Sequence, residues 1–470
     1  MIQYISTRGG SLSKEGPQSF EQVLLAGLAP DGGLYVPQSF PQLDIAALKG
    51  KSYADIAEAV MFPFVEGCID RADLRAMIDE TYAPEVFRAE TPVPLHHVVD
   101  NLYTLELFHG PTIAFKDVAL QMLGRLFEHV LSKRDRRVRI VGATSGDTGS
   151  AAIEGCRHSA HVDIFILHPK GRVSDVQRKQ MTTVDAPNVH NIALEGTFDD
   201  CQACVKDMFN DPHFRAEMSL SAINSINWAR IMAQITYYFT AALELGAPEK
   251  EVSFVVPTGN FGNVFAAYCA RQMGLPIKTL GIATNRNDIL TRFFESGEMK
   301  MGGVEPSLSP SMDIQISSNF ERYLYFLLDG DSAKLTAIMN GFKETGEFSL
   351  PPEFLAKARG EFVASRADDG QTIDTIRSVY NKYNYTLDPH SAVGYFGAQE
   401  LAKHEKGAVV ALACAHPAKF PDAVTKATGE YPALPDHLSG LFEAEEIVTD
   451  MPNDLAALKQ FVRDNITPAR

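Results

Sequence analysis

The sequence predicts an α/β protein of mainly parallel sheets covered by helices, preceded by a smaller, mainly helical N-terminal region. Three observations carry this. From Leu95 to about residue 420, β-branched runs alternate with longer stretches of helical period, the rhythm of strand–helix–strand units whose strands are buried on both faces. Twice a strand runs through a loop of glycine and small polar residues into a helix: VRIVGATSGDTGSAAIEGC (Val138–Cys156) and VSFVVPTGNFGNVFAAYCARQMG (Val252–Gly274). In LELFHGPTIAFKDVALQML (Leu105–Leu123), a single lysine, Lys116, follows a Gly110-Pro111 turn signal and sits among Ile113, Ala114, Phe115, Val118, Ala119 and Leu120. Ligands in open α/β sheets sit beyond the carboxyl ends of the strands, where all three stretches fall.

Taken in order, residues 1–95 read as a first domain with helices at Ser19–Gly27, Tyr53–Val65 and Asp70–Thr81 and a Pro/Gly turn set over Ala29–Pro37. Ser6–Ser13, rich in hydroxyls and glycine and carrying Arg8, is a surface loop or a phosphate-facing one. Thr91-Pro92-Val93-Pro94 is an extended linker into a second domain, residues 96–420. Strands are expected there at Leu102–Leu107, Val138–Val141, Val162–Leu167, Val189–Leu194, Val252–Val256, Ile277–Ile282 and Val409–Ala413. The helices between them include Asp117–Ser132, Ser174–Thr182, Phe198–Phe209 and Trp228–Leu245. Residues 307–370 read as a helical, lid-like insertion, and 421–470 as a tail of small helices.

Bulk properties narrow the function. A chain of 470 residues, 45% hydrophobic and 22% charged, is ordinary for a soluble enzyme with two or three cores. A formal charge of −16 argues against nucleic acid as a partner, so an anionic substrate would need a local cluster of cations. Six cysteines fit a reducing compartment. Cys201 and Cys204 form one CxxC inside an amphipathic helical stretch with no second pair, and no metal site is expected. MIQYISTRGG has neither a basic n-region nor an apolar core, and no apolar run approaches the roughly 18 residues of a membrane span. A cytoplasmic protein without a membrane partner is expected, as monomer or homodimer.

Burial disfavours an ammonium, so a lysine in the surroundings of Lys116 should carry free amine near neutral pH, the requirement for attack on a carbonyl. A lysine snorkelling at a helix start is the alternative. In Gly259-Asn260-Phe261-Gly262-Asn263, backbone N–H groups and a helix N-terminus converge as they do around a phosphate. No Lys-Ser or Lys-Thr follows, and GxxG is too short for a dinucleotide fingerprint. Thr144, Ser145, Asp147 and Thr148 are either an ordinary capped helix start or a second anion loop.

PTIAFKD, ATSGDTGSA, TGNFGN, DPHSAVG and AHPAKF, with the opening STRGG…SFEQVLLAGLAPDGGLYVP, resemble in order the signature segments of the threonine synthase family. These are pyridoxal-phosphate enzymes of the tryptophan-synthase β-like fold type II. The resemblance implies pyridoxal 5′-phosphate as cofactor and Lys116 as the residue that holds it and then moves protons. It implies Gly259, Asn260, Phe261, Gly262 and Asn263 as the cofactor-phosphate loop. Thr144, Ser145, Gly146 and Thr148 would meet the substrate carboxylate, and Asp147 the cofactor 3′-oxygen. Family members often read Thr-Ala-His-Pro-Ala-Lys where this chain has Cys414-Ala415-His416-Pro417-Ala418-Lys419. Cys414 is then either a thiol partner of the ring nitrogen or a small buried side chain. For a substrate phosphate, NSINWAR offers Asn227 and Arg230, and HPKGRVSDVQRKQ offers Lys170 ahead of Arg172 and Lys179. The implied reaction converts O-phospho-L-homoserine and water to L-threonine and phosphate. Alternatives on the same scaffold are a phospho-lyase, a threonine/serine dehydratase, or a catalytically silent metabolite-binding homologue.

Overall fold

The computed structural model describes residues 1–9 and 16–467, so residues 10–13 of the Ser6–Ser13 loop lie outside it. Two sheets organise the chain. A six-stranded sheet runs Phe362–Arg366, Ile277–Thr284, Val252–Pro257, Ala408–Ala413, Leu102–Glu106, Leu95–Val99. Its pairings are parallel except the last. A five-stranded, wholly parallel sheet runs Thr449–Met451, Val189–Leu194, Val162–Pro169, Val138–Ala143, Leu220–Ser221. Every residue of Val162–Pro169 and of Val252–Pro257 is buried, which is why these strands read as mainly apolar runs, with Asp163, His168 and Ser253 as the polar exceptions.

All seven expected strands form, and the four expected helices appear as Lys116–Lys133, Asp175–Thr182, Phe198–Asn210 and Trp228–Glu244. The N-terminal helices are Phe20–Ala26, closed by a Ser19 capping box, Tyr53–Val65 and Arg71–Thr81. Trp228–Glu244 is buried on nearly every side, packed by Tyr53–Val65, Lys116–Lys133 and Gly262–Gln272. The indole of Trp228 lies 5.9 Å from the ring of Tyr4 and 5.5 Å from that of Phe64, joining the N-terminal helices to the core.

Two stretches differ from expectation. Region 307–370 holds helices Phe320–Leu327 and Ser332–Thr345, but it also supplies Phe362–Arg366, an edge strand of the large sheet. The tail likewise gives an edge strand, Thr449–Met451, before helix Leu455–Asp464. Edge strands are half-exposed, short and charged, so they lack the continuous apolar pattern that marks central ones.

Helices Lys116–Lys133 and Asp147–Cys156 meet backbone to backbone. A Cβ on Gly124 would lie 1.9 Å from the carbonyl oxygen of Gly155, and one on Gly155 would lie 2.4 Å from that of Leu120. No other residue type allows this approach, and it brings the starts of the two helices, Lys116 and Asp147, together.

Candidate active site

Lys116 opens its helix from a tightly fixed turn. Ile113 has φ of 53°, a left-handed conformation rare for a β-branched residue. It is held there because its N–H donates to Gly110 O at 3.0 Å and its carbonyl accepts from His416 N at 3.0 Å. Phe115 N donates to Cys414 O at 2.7 Å, so the turn is stitched to the end of strand Ala408–Ala413. Asp117 completes the brace, accepting from Thr112 N at 2.8 Å and from Thr112 Oγ1 at 2.7 Å.

Burial pushes the Asp117 carboxyl up to about 6, against the Thr112 hydrogen bonds and the Lys419 charge, which favour ionisation. A raised value in the folded state means that the fold holds a proton the unfolded chain releases, so stability falls as pH rises from about 4 to 6. The full difference is on the order of 3 kcal/mol. Asp117→Asn is expected to remove this slope from urea midpoints measured between pH 4 and 6; an unchanged slope would assign it to other groups.

The dry neighbourhood read around Lys116 contains a carboxylate. The Lys116 Nζ donates to Asp147 Oδ2 at 3.1 Å, and both residues are buried. Asp147 Oδ2 also accepts from Ser311 Oγ at 3.1 Å, and its Oδ1 accepts from Gln177 Nε2 at 2.7 Å. A second ammonium, Lys419 Nζ, stands 3.2 Å from that Oδ1. Burial alone would raise the Asp147 carboxyl, but Lys116, Lys419, His390 and Gln177 together hold it well below the usual range. Its contribution to stability is therefore present above about pH 4 and lost on acidification.

Beside this pair opens a cleft whose lining includes Lys116, Asp147, Thr148, Arg230, His390 and Cys414 and all of Gly259, Asn260, Phe261, Gly262 and Asn263. The loop leaves the carboxyl end of strand Val252–Pro257 and enters helix Gly262–Gln272. The first N–H groups of that helix have no acceptor within it. Phe261 turns the chain with φ of 61°, and a Cβ on Gly259 would lie 2.9 Å from Ser311 O. Asn263 accepts from both Tyr237 and Tyr238 hydroxyls, while its buried Nδ2 has no partner. Cys414 N donates to Ser391 Oγ at 2.7 Å, and burial keeps the Cys414 thiol protonated by pushing it well up.

Arg230 is the site's uncompensated cation. It is buried, its Nη1 donates to Ile223 O at 3.2 Å, and its Nε has no partner among the described residues. Among the described residues no carboxylate pairs with it, and burial lowers it to about 10, still charged at neutral pH.

Thr148 apart, the structure does not bring the other expected substrate ligands to the cleft. Thr144 Oγ1 is taken up by Gly146 N at 3.0 Å and Gly149 N at 2.8 Å, a helix-start bracket rather than a ligand. Ser145 is exposed and Gly146 packs on Gln177; neither lines the cleft. Asn227 is an N-cap, accepting from Ala229 N at 3.1 Å and donating to Leu24 O at 2.9 Å. Lys170 is exposed and donates to Asp450 Oδ2 at 2.7 Å, and Lys179 donates to Ala444 O at 2.8 Å. Lys419, His390, Ser311 and Gln177 were missed. DPHSAVG and AHPAKF hold two of them, but no local pattern marks a side chain that meets Asp147 from another part of the chain, as Gln177 does from 30 residues away and Ser311 from 164.

The residues present fit pyridoxal phosphate. A glycine-limited loop and helix N-terminus suit its phosphate, an unpartnered buried amide and guanidinium await acceptors, and a lysine amine lies in the same cleft. Comparison with known proteins agrees. Residues 3–82 match "Threonine synthase N terminus", 86–415 "Pyridoxal-phosphate dependent enzyme", and 391–462 "Threonine synthase, C-terminal". The chain is 53% identical to the threonine synthase of Pseudomonas aeruginosa over 465 residues, 98% of each chain. It is 44% identical to that of Schizosaccharomyces pombe over 508 aligned positions, again 98% of each. The crystal structure of PLP-bound threonine synthase from Brucella melitensis superposes with a TM-score of 0.96 at 52% identity, covering 99% of both chains. The chain belongs to the threonine synthase family, pyridoxal-phosphate-dependent enzymes of fold type II.

Proposed function

We propose that this chain is a threonine synthase, converting O-phospho-L-homoserine and water to L-threonine and phosphate. The observation that carries the substrate is Arg230: a buried guanidinium without a carboxylate, facing the cleft that holds Lys116, is built to be neutralised by an incoming anion. The main-chain amides of Gly259–Asn263 would hold the cofactor phosphate, which leaves the guanidinium for the substrate phosphate. Pyridoxal phosphate, when bound, supplies an electron sink that spreads a negative charge developing on the substrate carbons.

The chain's own residues do the rest. Lys116, once its amine is free, takes the proton from the substrate Cα and returns protons to the carbons beyond it, within reach of the Asp147 carboxylate. Cys414, kept as a thiol, is proposed as the weak hydrogen-bonding neighbour of the ring nitrogen. Thr148 lies where a substrate carboxylate could accept its hydroxyl. The division into residues 1–95, 96–420 and 421–470 belongs to the same proposal, with the first domain closing the core around Trp228. Cytoplasmic residence is supported by six cysteines that are all unpaired, and a monomer or homodimer belongs to the same proposal.

The test is incubation of the purified protein with O-phospho-L-homoserine, following threonine and phosphate together. Equal release of both is expected; phosphate with 2-oxobutyrate and no threonine would make the protein a phospho-lyase.

A further inference from the structure

A carboxylate taken out of water needs a cation that stays charged. Asp147 has two. One of them, Lys116, must give up its proton to act as nucleophile or base, and at that moment it stops compensating the carboxylate. The other is Lys419, wholly buried on the turn Pro417–Lys419. Its ammonium donates to Thr112 O at 2.9 Å and to Gln180 Oε1 at 3.0 Å, and it pairs as an ion with Asp147 Oδ1 at 3.2 Å. The lysines approach different oxygens of the carboxylate, Lys116 at Oδ2 and Lys419 at Oδ1.

We propose that Lys419 is a positioning residue: a buried ammonium that keeps Asp147 ionised and in place while Lys116 is neutral. The remaining polar groups facing Asp147 cannot substitute for it. Gln177 and Ser311 are uncharged donors. The ring of His390 is engaged on both sides, at Nδ1 with Asp388 Oδ1 at 2.9 Å and at Nε2 by Ser311 N at 3.2 Å. Without Lys419, deprotonating Lys116 would strand a buried anion, so the lysine nitrogen would hold its proton to higher pH. Lys419 also grips the carbonyl of Thr112, four residues before Lys116, so a purely mechanical role has to be separated from the electrostatic one.

The inference rests on Lys116 being the cofactor-holding lysine, which borohydride reduction and mass spectrometry of the wild-type holoenzyme test separately. An adduct elsewhere would remove that reading; an adduct at Lys116 leaves only the role of Lys419 in question. The readout is the pH midpoint of the visible absorption change of the purified holoenzyme. Lys419→Met is expected to move it up by one unit or more, a tenfold change in the protonated fraction, and Lys419→Arg, which keeps the charge, by less than about a third of that. An unchanged midpoint in Lys419→Met, or equal shifts in both variants, would overturn the proposal. If Lys419→Met does not fold, the double variant with Asp147→Asn, kept below about pH 6 where the buried Asp117 carboxyl is protonated as well, is expected to recover folded protein, because the missing cation then has no buried anion to serve. Failure to recover would make Lys419 a brace for Thr112 and Gln180 alone.

Discussion

Lys116→Ala is expected to abolish turnover, lowering kcat by about 10³-fold or more, in the upper part of the range for removing a positioned acid–base group, and to leave no borohydride-stable cofactor adduct at residue 116. The fold should survive. Removing the amine leaves Asp147 paired with Lys419 at 3.2 Å and hydrogen-bonded to Gln177 at 2.7 Å, so no lone charge is stranded in the interior. Lys116 also makes no backbone contact through its side chain that the turn Gly110–Phe115 depends on; Asp117 and His416 hold that turn. Melting temperature and adduct mapping check both halves. Retention of activity within tenfold, or transfer of the adduct to another lysine, would show that a different amine does the work.

Arg230→Met is expected to act in opposite directions on stability and on catalysis. In the ligand-free chain the guanidinium is buried without an acid, so replacing it with an apolar side chain of similar length should stabilise the fold by a kcal/mol or more. The same change removes the partner of an incoming phosphate. A buried charge pair of this kind is worth about 2–5 kcal/mol when one side is truncated, which places the expected loss in kcat/KM at roughly 10²-fold or more. Lys in its place should recover little, because an ammonium lacks the planar fork. Inorganic phosphate added to the holoenzyme, whose Gly259–Asn263 loop is taken by the cofactor, provides an independent reading: at about 100 times its Kd it should stabilise the wild type by roughly 2.7 kcal/mol and the variant hardly at all. Equal stabilisation of both would move the phosphate site elsewhere.

What could be read from the sequence follows from what was being packed. Central parallel strands such as Val162–Pro169 are buried on both faces and announce themselves as mainly apolar runs, whereas Phe362–Arg366 and Thr449–Met451 lie at sheet edges and do not. Lys116, the Gly259–Asn263 loop and Arg230 converge because each stands at a strand-to-helix junction or a helix start, a place that local pattern marks. Lys170 stands at such a junction too, yet its partner is Asp450 on the tail, and no spacing within HPKGRVSDVQRKQ says which ligand a cation meets. Thr144 illustrates the same limit on a smaller scale: a hydroxyl at a helix start can bind a ligand or its own backbone, and here it brackets Gly146 and Gly149. Lys419 stands in the AHPAKF segment without a legible role for the converse reason, since it reaches Asp147 across the interior and no spacing along the chain joins the two.

The contact of Gly124 with Gly155 sets how this enzyme can be damaged. The separation of an amine from a carboxylate is fixed about two helical turns from either, at a crossing with no room for a methyl group. A change that looks innocuous and never touches a reactant would pry the helices apart at that pivot and uncouple the two charged groups at its far end. Remoteness from the chemistry is therefore a poor guide to which positions in this chain tolerate substitution.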